Sequence, residues 1–401
     1  MVQSVILKIM KILQLDIEGF RSLKKVSWKP GDLNVVIGPN GTGKSNLLRF
    51  LELMSVSAQG RLGKYIQSLG GMEPIVWDGR STDISFNLRT QLGERNWMTY
   101  FLQMARLGMR SSYRIQRELF ADYDAVANGK QTEPLKFLER TGLQARIFAE
   151  KQQILTAPEE SVLEDESFLA IAAGPFVSNL LLKMFQQHLA HWTIYHDVHV
   201  HRDAIIRQPA VARFEKQVEA DGQNLIPVLH TLYTGSRDFK NELNAAMHAA
   251  FGEDFDELIF PPAADQRIQL RVRWKSLKRE QSAADLSDGT LRFLLLLTIL
   301  ASPSPPPLIA IDEPETGLHP SMLPIIAEYA VDAATRTQVI FTTHSPQFLD
   351  AFTDTKPTTT IAKWENGETT LKVLEGEQLD YWLKEYSLGA LFKSGELEAM
   401  E

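Results

Sequence analysis

The sequence contains no cysteine, and this absence removes several classes of protein before any motif is considered. Without thiols the chain has no disulfides, no thiolate metal sites, no cysteine-ligated iron–sulfur clusters and no cysteine nucleophile. It also lacks an uninterrupted apolar run of the roughly 18 residues that a membrane-spanning helix needs, and its first ten residues match a signal peptide poorly. We therefore expect a cytoplasmic protein with no membrane partner.

An excess of basic residues is missing as well. The 42 lysines and arginines are outnumbered by 50 aspartates and glutamates, which gives a formal net charge of −8. This balance argues against a globally basic nucleic-acid-binding protein, although a groove can be locally basic within an acidic protein. DNA therefore remains a partner that the charge does not support.

A glycine-rich loop lies between a short apolar run and a segment with helical spacing. Residues 33–37 (LNVVI) predict a buried strand, residues 46–54 (NLLRFLELM) predict a helix, and residues 38–45 (GPNGTGKS) match the phosphate-loop pattern G-x-x-x-x-G-K-[ST] in full. In such a loop, backbone N–H groups surround the phosphates, the lysine reaches the β- and γ-phosphates, and the serine hydroxyl binds Mg²⁺. The predicted ATP-binding residues are Asn40, Gly41, Gly43, Lys44, Ser45 and Asn46.

A second apolar run, at residues 308–311 (LIAI), ends in Asp312 and Glu313. This is the pattern expected where a carboxylate approaches a bound metal from the carboxyl edge of a sheet. We expect Asp312 to hold Mg²⁺ and its water, and Glu313 to polarise the attacking water. An acidic pair after a strand can also be a simple surface corner, but a complete phosphate loop in the same chain disfavours that interpretation.

The segment LSDGT at residues 286–290 precedes an apolar run, residues 291–300, that predicts a largely buried helix. Ser287 and Gly289 at the start of this helix offer a hydroxyl, free N–H groups and a positive dipole end, which together form a second anion site. One nucleotide has only one γ-phosphate, which Lys44 already holds. The second site is therefore best used on the nucleotide of another subunit, although in isolation the same segment is more often an ordinary helix N-cap.

The histidines suggest one switch and one weaker alternative. His344 follows the apolar strand pattern of residues 339–342, where it could bind the γ-phosphate and sense its presence. Five of the nine histidines lie in one stretch of the sequence: His188, His191, His196, His199 and His201. No carboxylate-supported metal spacing accompanies them, so packing is favoured over metal binding.

The patterns divide the chain into four parts. Residues 10–119 and 262–375 predict the two halves of an ATPase head, residues 120–261 a mainly helical inserted lobe, and residues 376–401 a helical tail. One set of basic residues is interpreted as a solvated strand face, and the alternative is a helix on which the set would form one basic face that tracks phosphates; its members are Arg106, Arg110, Arg114 and Arg117. A second set, Arg271, Arg273 and Lys275, is interpreted as a solvated strand face, with DNA contact as the alternative.

Together these motifs resemble the ABC-type ATPases of the SMC, RecF and OLD-like branch, most closely the stand-alone predicted ATPases in which an AAA-type domain fills the chain. The resemblance rests on residues 17–23 (IEGFRSL), 286–293, 311–320 and 343–346. It implies an α/β P-loop NTPase fold with an ABC-type head, ATP and Mg²⁺ as cofactors, an ATP-dependent homodimer, and contact of Arg21 with the nucleotide phosphates. Catalysis would then depend on Lys44, Glu313 and His344.

The resemblance further implies an ATP-hydrolysing switch in bacterial anti-phage defence or toxin–antitoxin control, acting on a separately encoded effector such as a nuclease or toxin. The alternative is a RecF-like ATPase of DNA repair or chromosome maintenance that clamps DNA. A transporter subunit is disfavoured because LSDGT and the Phe20-Arg21 opening look like the non-transport branch.

Two features depart from the family pattern. The glutamine of the family's Q-loop has three candidates, Gln103, Gln116 and Gln152, and the sequence does not choose among them. No acidic Toprim nuclease pattern follows the segment around His344, as it would in OLD proteins. Any nuclease must therefore be a separate chain.

Overall fold

The computed structural model describes residues 10–92, 95–108, 112–148, 154–172, 179–196, 198–352, 355–374 and 387–396 of the 401-residue chain. The chain divides into two compact units. Unit 1 comprises Met1–Trp192 and Thr358–Leu374, and unit 2 comprises Thr193–Pro357 and Glu375–Glu401. Both units contain helices and strands, so the predicted α/β class is confirmed.

The strands of the described residues are β1 (Ile12–Phe20), β2 (Leu23–Trp28), β3 (Leu33–Ile37), β4 (Asp83–Leu92), β5 (Arg95–Arg106), β6 (Tyr113–Asp122), β7 (Leu135–Thr141), β8 (Gln144–Phe148), β9 (Ile154–Thr156), β10 (Thr193–Tyr195), β11 (Ala210–Val211), β12 (Phe255–Ile259), β13 (Pro262–Ala263), β14 (Arg267–Ile268), β15 (Arg271–Trp274), β16 (Gln281–Ser282), β17 (Leu308–Asp312), β18 (Gln338–Thr343), β19 (Thr358–Glu365) and β20 (Glu368–Val373).

The helices are α1 (Lys44–Ala58), α2 (Leu62–Ser68), α3 (Asp124–Ala127), α4 (Phe168–Ala172), α5 (Leu180–Ala190), α6 (Leu225–Gly235), α7 (Arg237–Phe251), α8 (Asp288–Leu300), α9 (Leu323–Ala334), α10 (Pro346–Asp350) and α11 (Leu388–Ser394). None of these helices in the described residues combines the length and the apolar character that crossing a membrane requires.

Unit 1 is organised around an antiparallel sheet with the strand order β2-β1-β4-β5-β6-β7-β8-β9. Side chains alternate along β4, where Ile84, Phe86 and Leu88 are buried and Ser85 and Asn87 are half-buried, as expected for a sheet with one covered face. The remaining strands of unit 1 are β3, which pairs parallel with β19, and β20, which pairs antiparallel with β19. The predicted buried strand and the helix that follows it are confirmed as β3 and α1.

The middle of the chain is more strand-rich than its pattern indicates. Helices hold more of the described residues between 120 and 261 than strands do, yet residues 135–156 form β7, β8 and β9 and extend the sheet of unit 1. Burial alternates along β8, but it is irregular along β7, and β9 is exposed throughout. Pairing with an existing sheet edge, rather than a strong pattern of their own, determines their conformation.

An aromatic series connects α1 and α5 to the large sheet. Phe20 contacts Phe50 at 5.1 Å between ring centroids, Phe50 contacts Phe86 at 5.6 Å, and Phe86 contacts Tyr100 at 5.6 Å. Tyr100 then contacts Phe185 of α5 at 5.3 Å, and all four pairs are edge-to-face. Such pairs contribute about 1 kcal/mol each beyond their burial, so α1 is held firmly where it follows the glycine loop.

A buried histidine in α5 predicts how the stability of unit 1 depends on pH. Burial lowers the pKa of His188 from 6.5 to about 3, with His191 as a smaller cause. Because the folded pKa lies below the unfolded one, folding favours the neutral ring. The contribution is complete above pH 6.5 and is lost as the pH falls toward 3.

We expect His188→Leu to lose this pH dependence. Between pH 6.5 and 5 the free energy of unfolding of the wild type should fall by about 2 kcal/mol more than that of the variant, because only the wild type takes up a proton at this site on unfolding. Urea unfolding at both pH values measures the difference. His201→Gln, at an exposed histidine, is the control, and equal pH slopes for His188→Leu and wild type would contradict the prediction.

Unit 2 contains the parallel strands β10, β17 and β18 in that order. The carboxyl ends of these strands lie at one edge, where functional residues of parallel sheets collect. Helix α8 is buried from Thr290 to Leu300 except at Arg292, which confirms the prediction of a largely buried helix. Strands β17 and β18 confirm the two apolar strands predicted at residues 308–311 and 339–342.

Candidate functional site

The glycine loop of unit 1 has the backbone that only glycine adopts easily. Gly38, Gly41 and Gly43 have φ angles of 151°, 85° and 95°. A Cβ at Gly38 would lie 2.3 Å from the carbonyl oxygen of Ala362, and one at Gly43 would lie 2.1 Å from the hydroxyl of Thr369. A Cβ at Gly41 would meet nothing within 4 Å, so the loop is closely packed at both ends and open at its centre.

Lys44 begins α1 and lies across this loop. Its Nζ donates to the carbonyl oxygens of Gly38 at 2.6 Å and Pro39 at 3.0 Å, and the residue is buried. Asn40 and Ser45, at the tip of the loop and in the first turn of α1, are exposed. The N-terminal end of α1, with its positive dipole end, and the Lys44 ammonium therefore adjoin the same open loop, which is an arrangement suited to phosphate.

Asn46 supports the loop from within unit 1. Its side-chain amide donates to the hydroxyl of Ser22 at 2.8 Å. The hydroxyl of Thr369 lies 2.7 Å from that of Ser22 and 2.8 Å from the carbonyl oxygen of Thr42. Ser22 and Thr369 were missed in the sequence, because no local pattern indicates that positions so far apart support one loop.

Arg21 has a left-handed backbone, with φ 46°, and lies on the α1 side of unit 1. Burial is the main cause that lowers its pKa, and the nearby Arg49 adds to this effect, while Tyr65 and Glu52 oppose it. Its Nε has no hydrogen-bond partner among the described residues. A half-buried guanidinium with an unused donor is consistent with the phosphate contact that the resemblance implies for Arg21.

In unit 2 the parallel strands bring polar groups together at their carboxyl ends. Asp312 ends β17, and its carboxylate accepts a hydrogen bond from the Thr342 hydroxyl on the neighbouring β18. The Nδ1 atom of His196, which follows β10, lies 3.8 Å from the other carboxylate oxygen. Asp312 is thus oriented by groups from both adjacent strands.

Glu313 and His344 form the most exposed part of this corner. Glu313 has φ 47°, and its N–H donates to the carbonyl oxygen of Thr342 at 3.0 Å. Its Oε1 lies 2.9 Å from His344 Nδ1, and the two side chains are 35% and 46% exposed. The structure therefore places the predicted base and the predicted sensor in direct contact, in reach of solvent.

Two further residues surround Glu313 that the sequence did not single out. Glu315 accepts a hydrogen bond from Thr343, and burial raises the pKa of its carboxyl group. Its Oε2 has no hydrogen-bond partner among the described residues. Arg292 of α8 donates to the Glu313 carbonyl oxygen at 3.2 Å, and burial lowers its pKa. The carboxylates at this corner therefore lie close to a partly buried cation. In the sequence, the position of Arg292 just after LSDGT is the signal that could have indicated it.

Ser287 is the N-cap of α8, and its hydroxyl accepts from the N–H of Thr290 at 3.1 Å. Gly289 lies in the first turn of α8, where a Cβ would stand 2.6 Å from the carbonyl oxygen of Gly317. Glycine is therefore required here for close approach of the loop after Glu315. The N-cap predicted for this segment is confirmed, while its use on an anion stays a prediction.

Oxygen donors of the kind that Mg²⁺ prefers are present in each unit taken by itself. Ser45 of unit 1 is exposed at the start of α1, and the Asp312 carboxylate ends β17 in unit 2. No group of three or more histidine, cysteine, aspartate or glutamate residues in the described ranges could hold a metal ion by itself.

The Q-loop glutamine is not resolved by the described residues. Gln103 and Gln116 lie on the adjacent antiparallel strands β5 and β6, and Gln152 falls outside the described residues. Both described candidates are strand residues within the sheet.

Most of the described residues in the two basic sets lie on strands, as favoured from the sequence: Arg271 and Arg273 belong to β15, whereas Lys275 lies in the turn that follows it. Arg106, Arg114 and Arg117 belong to β5 and β6, which excludes the helical alternative for them, and Arg110 lies outside the described residues. In the second set, each cation is close to a glutamate. The ion pairs are Arg271 with Glu280 at 3.7 Å, Arg273 with Glu257 at 2.5 Å and Glu280 at 3.0 Å, and Lys275 with Glu253 at 3.5 Å.

One family model and several solved structures are similar to this chain. A family model described as "AAA domain, putative AbiEii toxin, Type IV TA system" matches residues 33–350. No curated protein matches the sequence.

Among solved structures, an SmcHead bound to the C-winged helix domain of ScpA is similar, with a TM-score of 0.55, 13% identity, and coverage of 92% of this chain and 99% of that one. A Pyrococcus furiosus Smc head with an extended coiled coil, bound to the C-terminal domain of ScpA, gives a TM-score of 0.49 and 11% identity, with 94% and 99% coverage. The SMC head domain from Thermotoga maritima gives 0.45 and 13%, with 91% and 100% coverage.

Proposed function

Because the chain belongs to the AAA domain family whose model matches residues 33–350 and has the fold of an SMC-like, ABC-type P-loop ATPase, we propose that it binds and hydrolyses ATP as a nucleotide-gated homodimer. The dimer controls a separately encoded effector, such as a nuclease or toxin, in bacterial anti-phage defence or toxin–antitoxin control. The description of the family, which names a toxin of a type IV toxin–antitoxin system, supports this biological setting.

The observation that carries ATP binding is the glycine loop between β3 and α1. The loop has positive φ angles at Gly41 and Gly43 and an open centre. The Lys44 ammonium group donates hydrogen bonds to two carbonyl oxygens of the same loop. These features present N–H groups and a cation to one anion. In the proposed complex, Asn40 through Asn46 bind the phosphates and Arg21 adds a second cation.

Ser45 and Asp312 would hold a Mg²⁺ ion, which would supply positive charge against the phosphates. The Thr342 hydroxyl keeps the Asp312 carboxylate in position. Glu313 takes the proton of the attacking water at its carboxylate. His344 donates to Glu313 before nucleotide arrives and to the γ-phosphate afterwards, which makes it the sensor.

DNA clamping has less support. Arg271, Arg273 and Lys275 each pair with a glutamate, so their charges are largely neutralised, and contact with DNA phosphates would require breaking these pairs. The formal net charge of −8 points the same way. We therefore keep a RecF-like clamp as the alternative that the experiments below must exclude.

Removing the loop cation tests nucleotide binding. We expect Lys44→Ala to weaken ATP binding by roughly 10- to 100-fold, because a charge-assisted hydrogen bond to phosphate contributes about 1.5–3 kcal/mol. Equilibrium titration with a fluorescent ATP analogue measures the loss. Lys64→Ala, at an exposed lysine of α2, is the matched control, and normal ATP affinity of Lys44→Ala would refute the loop assignment.

The biological setting is tested in cells that carry this chain together with its neighbouring genes. Phage plating should be reduced by the wild-type set and restored by Lys44→Ala, while Lys64→Ala should behave like wild type. Sensitivity to DNA damage should be the same in all strains. Unchanged phage plating together with increased sensitivity to DNA damage in the Lys44→Ala strain would favour the repair alternative instead.

A further inference from the structure

A buried arginine holds the loop that leads into α8. Arg207 has a side chain that is only 4% exposed. Its Nη1 donates to the carbonyl oxygens of Ala283 at 3.0 Å and Leu286 at 2.6 Å, and its Nη2 donates to the Asp288 carboxylate. The Nε atom donates to the Val200 carbonyl oxygen at 2.8 Å, on the other side of the guanidinium. One planar group therefore connects two segments of unit 2.

These contacts bracket Ser287. The Arg207 guanidinium binds the backbone of the residue before it, Leu286, and the side chain of the residue after it, Asp288. Apolar packing alone cannot fix this loop, because Ala284, Asp285, Ser287 and Asp288 are exposed and Leu286 is the buried anchor. A rigid guanidinium fork with several acceptors is suited to fixing such a polar loop, whereas a lysine offers only a single charged point.

The Asp288 carboxylate raises an electrostatic difficulty that Arg207 removes. Asp288 is the first residue of α8, and its side chain is 64% exposed beside the predicted second anion site at Ser287 and Gly289. An unpaired carboxylate at this position would repel a phosphate. Pairing with Arg207 neutralises the charge and holds it in a fixed direction, so that the Ser287 hydroxyl and the N–H groups of the first turn remain the groups offered to an anion.

We infer that Arg207 is a positioning residue for the second anion site. It orders Ser287 and neutralises Asp288 so that α8 can bind the γ-phosphate held by a second copy of this chain. This inference rests on the proposed nucleotide-gated dimer. It assigns to Arg207 a role in dimerisation that is separate from nucleotide binding by its own subunit.

The test uses Arg207→Met in a Glu313→Gln background, which prevents turnover. Sedimentation with ATP and Mg²⁺ should show dimerisation weakened by roughly 10- to 100-fold, because a displaced Ser287 loses its charge-assisted hydrogen bond to the phosphate. ATP affinity of the single subunit should stay as in the parent. Arg213→Met, at an arginine of the same segment whose side chain is 70% exposed, should dimerise normally. Normal dimerisation of Arg207→Met, or parallel loss of ATP affinity, would overturn the inference.

Asp288→Asn distinguishes neutralisation of the Asp288 carboxylate by Arg207 from the ordering of the loop by the same arginine. In the Arg207→Met protein this second change should recover about tenfold in dimerisation, because the carboxylate is no longer unpaired beside the phosphate, whereas a merely structural Arg207 would give no recovery. Absence of recovery would overturn the electrostatic half of the inference. If Arg207→Met does not fold, Arg207→Lys replaces it, because lysine retains the charge but lacks the planar guanidinium. Arg207→Lys should also weaken dimerisation without changing ATP affinity, by a smaller factor.

Mixing variants distinguishes failure of this inference from failure of the proposed function. Arg207→Met has an intact phosphate loop and Lys44→Ala an intact LSDGT segment, so an equimolar mixture should regain ATP turnover that neither parent shows. Ser287→Arg mixed with Lys44→Ala is the reference. Recovery in the reference alone overturns the role of Arg207, whereas failure of both mixtures overturns the dimer itself.

Discussion

Glu313→Gln should lower ATP turnover by about two to four orders of magnitude while nucleotide remains bound. Glutamine keeps the size of the side chain and its contact with His344 but cannot accept the proton of the attacking water. Phosphate release at saturating ATP measures turnover, and equilibrium titration measures binding. The result that supports the role of Glu313 is a large loss of turnover without a loss of nucleotide binding.

The geometry explains why this carboxylate should matter more than its neighbour. Glu313 Oε1 is 2.9 Å from His344 Nδ1 and partly exposed, whereas Glu315 Oε1 is 4.0 Å away and its carboxylate is largely buried. Burial raises the pKa of Glu315, which makes its ionised form less available. Glu313 is thus the carboxylate that both meets water and contacts the sensor His344.

Glu315→Gln is the matched variant, because it changes a carboxylate of the same loop and keeps an acceptor for Thr343. We expect it to lower turnover far less than Glu313→Gln does. If Glu315→Gln were the more damaging of the two, the base would have to be reassigned. Wild-type turnover of Glu313→Gln would remove Glu313 from the role altogether.

Ser287→Arg should abolish ATP turnover and leave nucleotide binding by the single subunit intact. The new side chain fills the space in front of the α8 N-terminus, where Ser287 is exposed and its hydroxyl caps the helix. Two subunits related by a two-fold axis would each offer this site to the nucleotide of the other, so one substitution blocks both composite sites.

Glu313→Gln with ATP and Mg²⁺ should be dimeric, and ADP should loosen the dimer.

Complementation gives this prediction its sharpest form. A mixture of Ser287→Arg and Lys44→Ala contains heterodimers in which one composite site has both an intact phosphate loop and an intact α8 N-terminus. Turnover should therefore reappear on mixing, up to about a quarter of the wild-type value if subunits assort at random and the sites act independently. An ATP-independent monomer in sedimentation, together with full activity of Ser287→Arg, would refute the dimer.

Much of this arrangement could be predicted because its signals are local. A short apolar run, a glycine loop and a helical pattern follow one another in residues 33–54, and each was found as β3, loop and α1. The same holds for α8, because its N-cap Ser287 and the apolar residues of the helix follow one another directly in the sequence. Local patterns suffice where the chemistry needs consecutive residues.

The parts that were not predicted depend on contacts between distant positions. Ser22 and Thr369 support one loop from opposite ends of the chain, and Arg207 holds the segment before α8 across more than seventy residues. Strands β7 to β9 gain their conformation from the edge of an existing sheet. A single sequence contains no record of such pairs, since their physical cause is the tertiary fold itself.

Under the proposed function, the position of Lys44 has a consequence for the speed of nucleotide exchange. Its ammonium group already binds the carbonyl oxygens of Gly38 and Pro39, so it occupies the loop as a built-in substitute ligand. An arriving phosphate needs only to take over hydrogen bonds from these oxygens, and the long side chain does not have to be ordered at that moment. When the nucleotide departs, the same oxygens accept the ammonium again, so the loop returns to its starting state without passing through an arrangement in which a buried cation lacks acceptors.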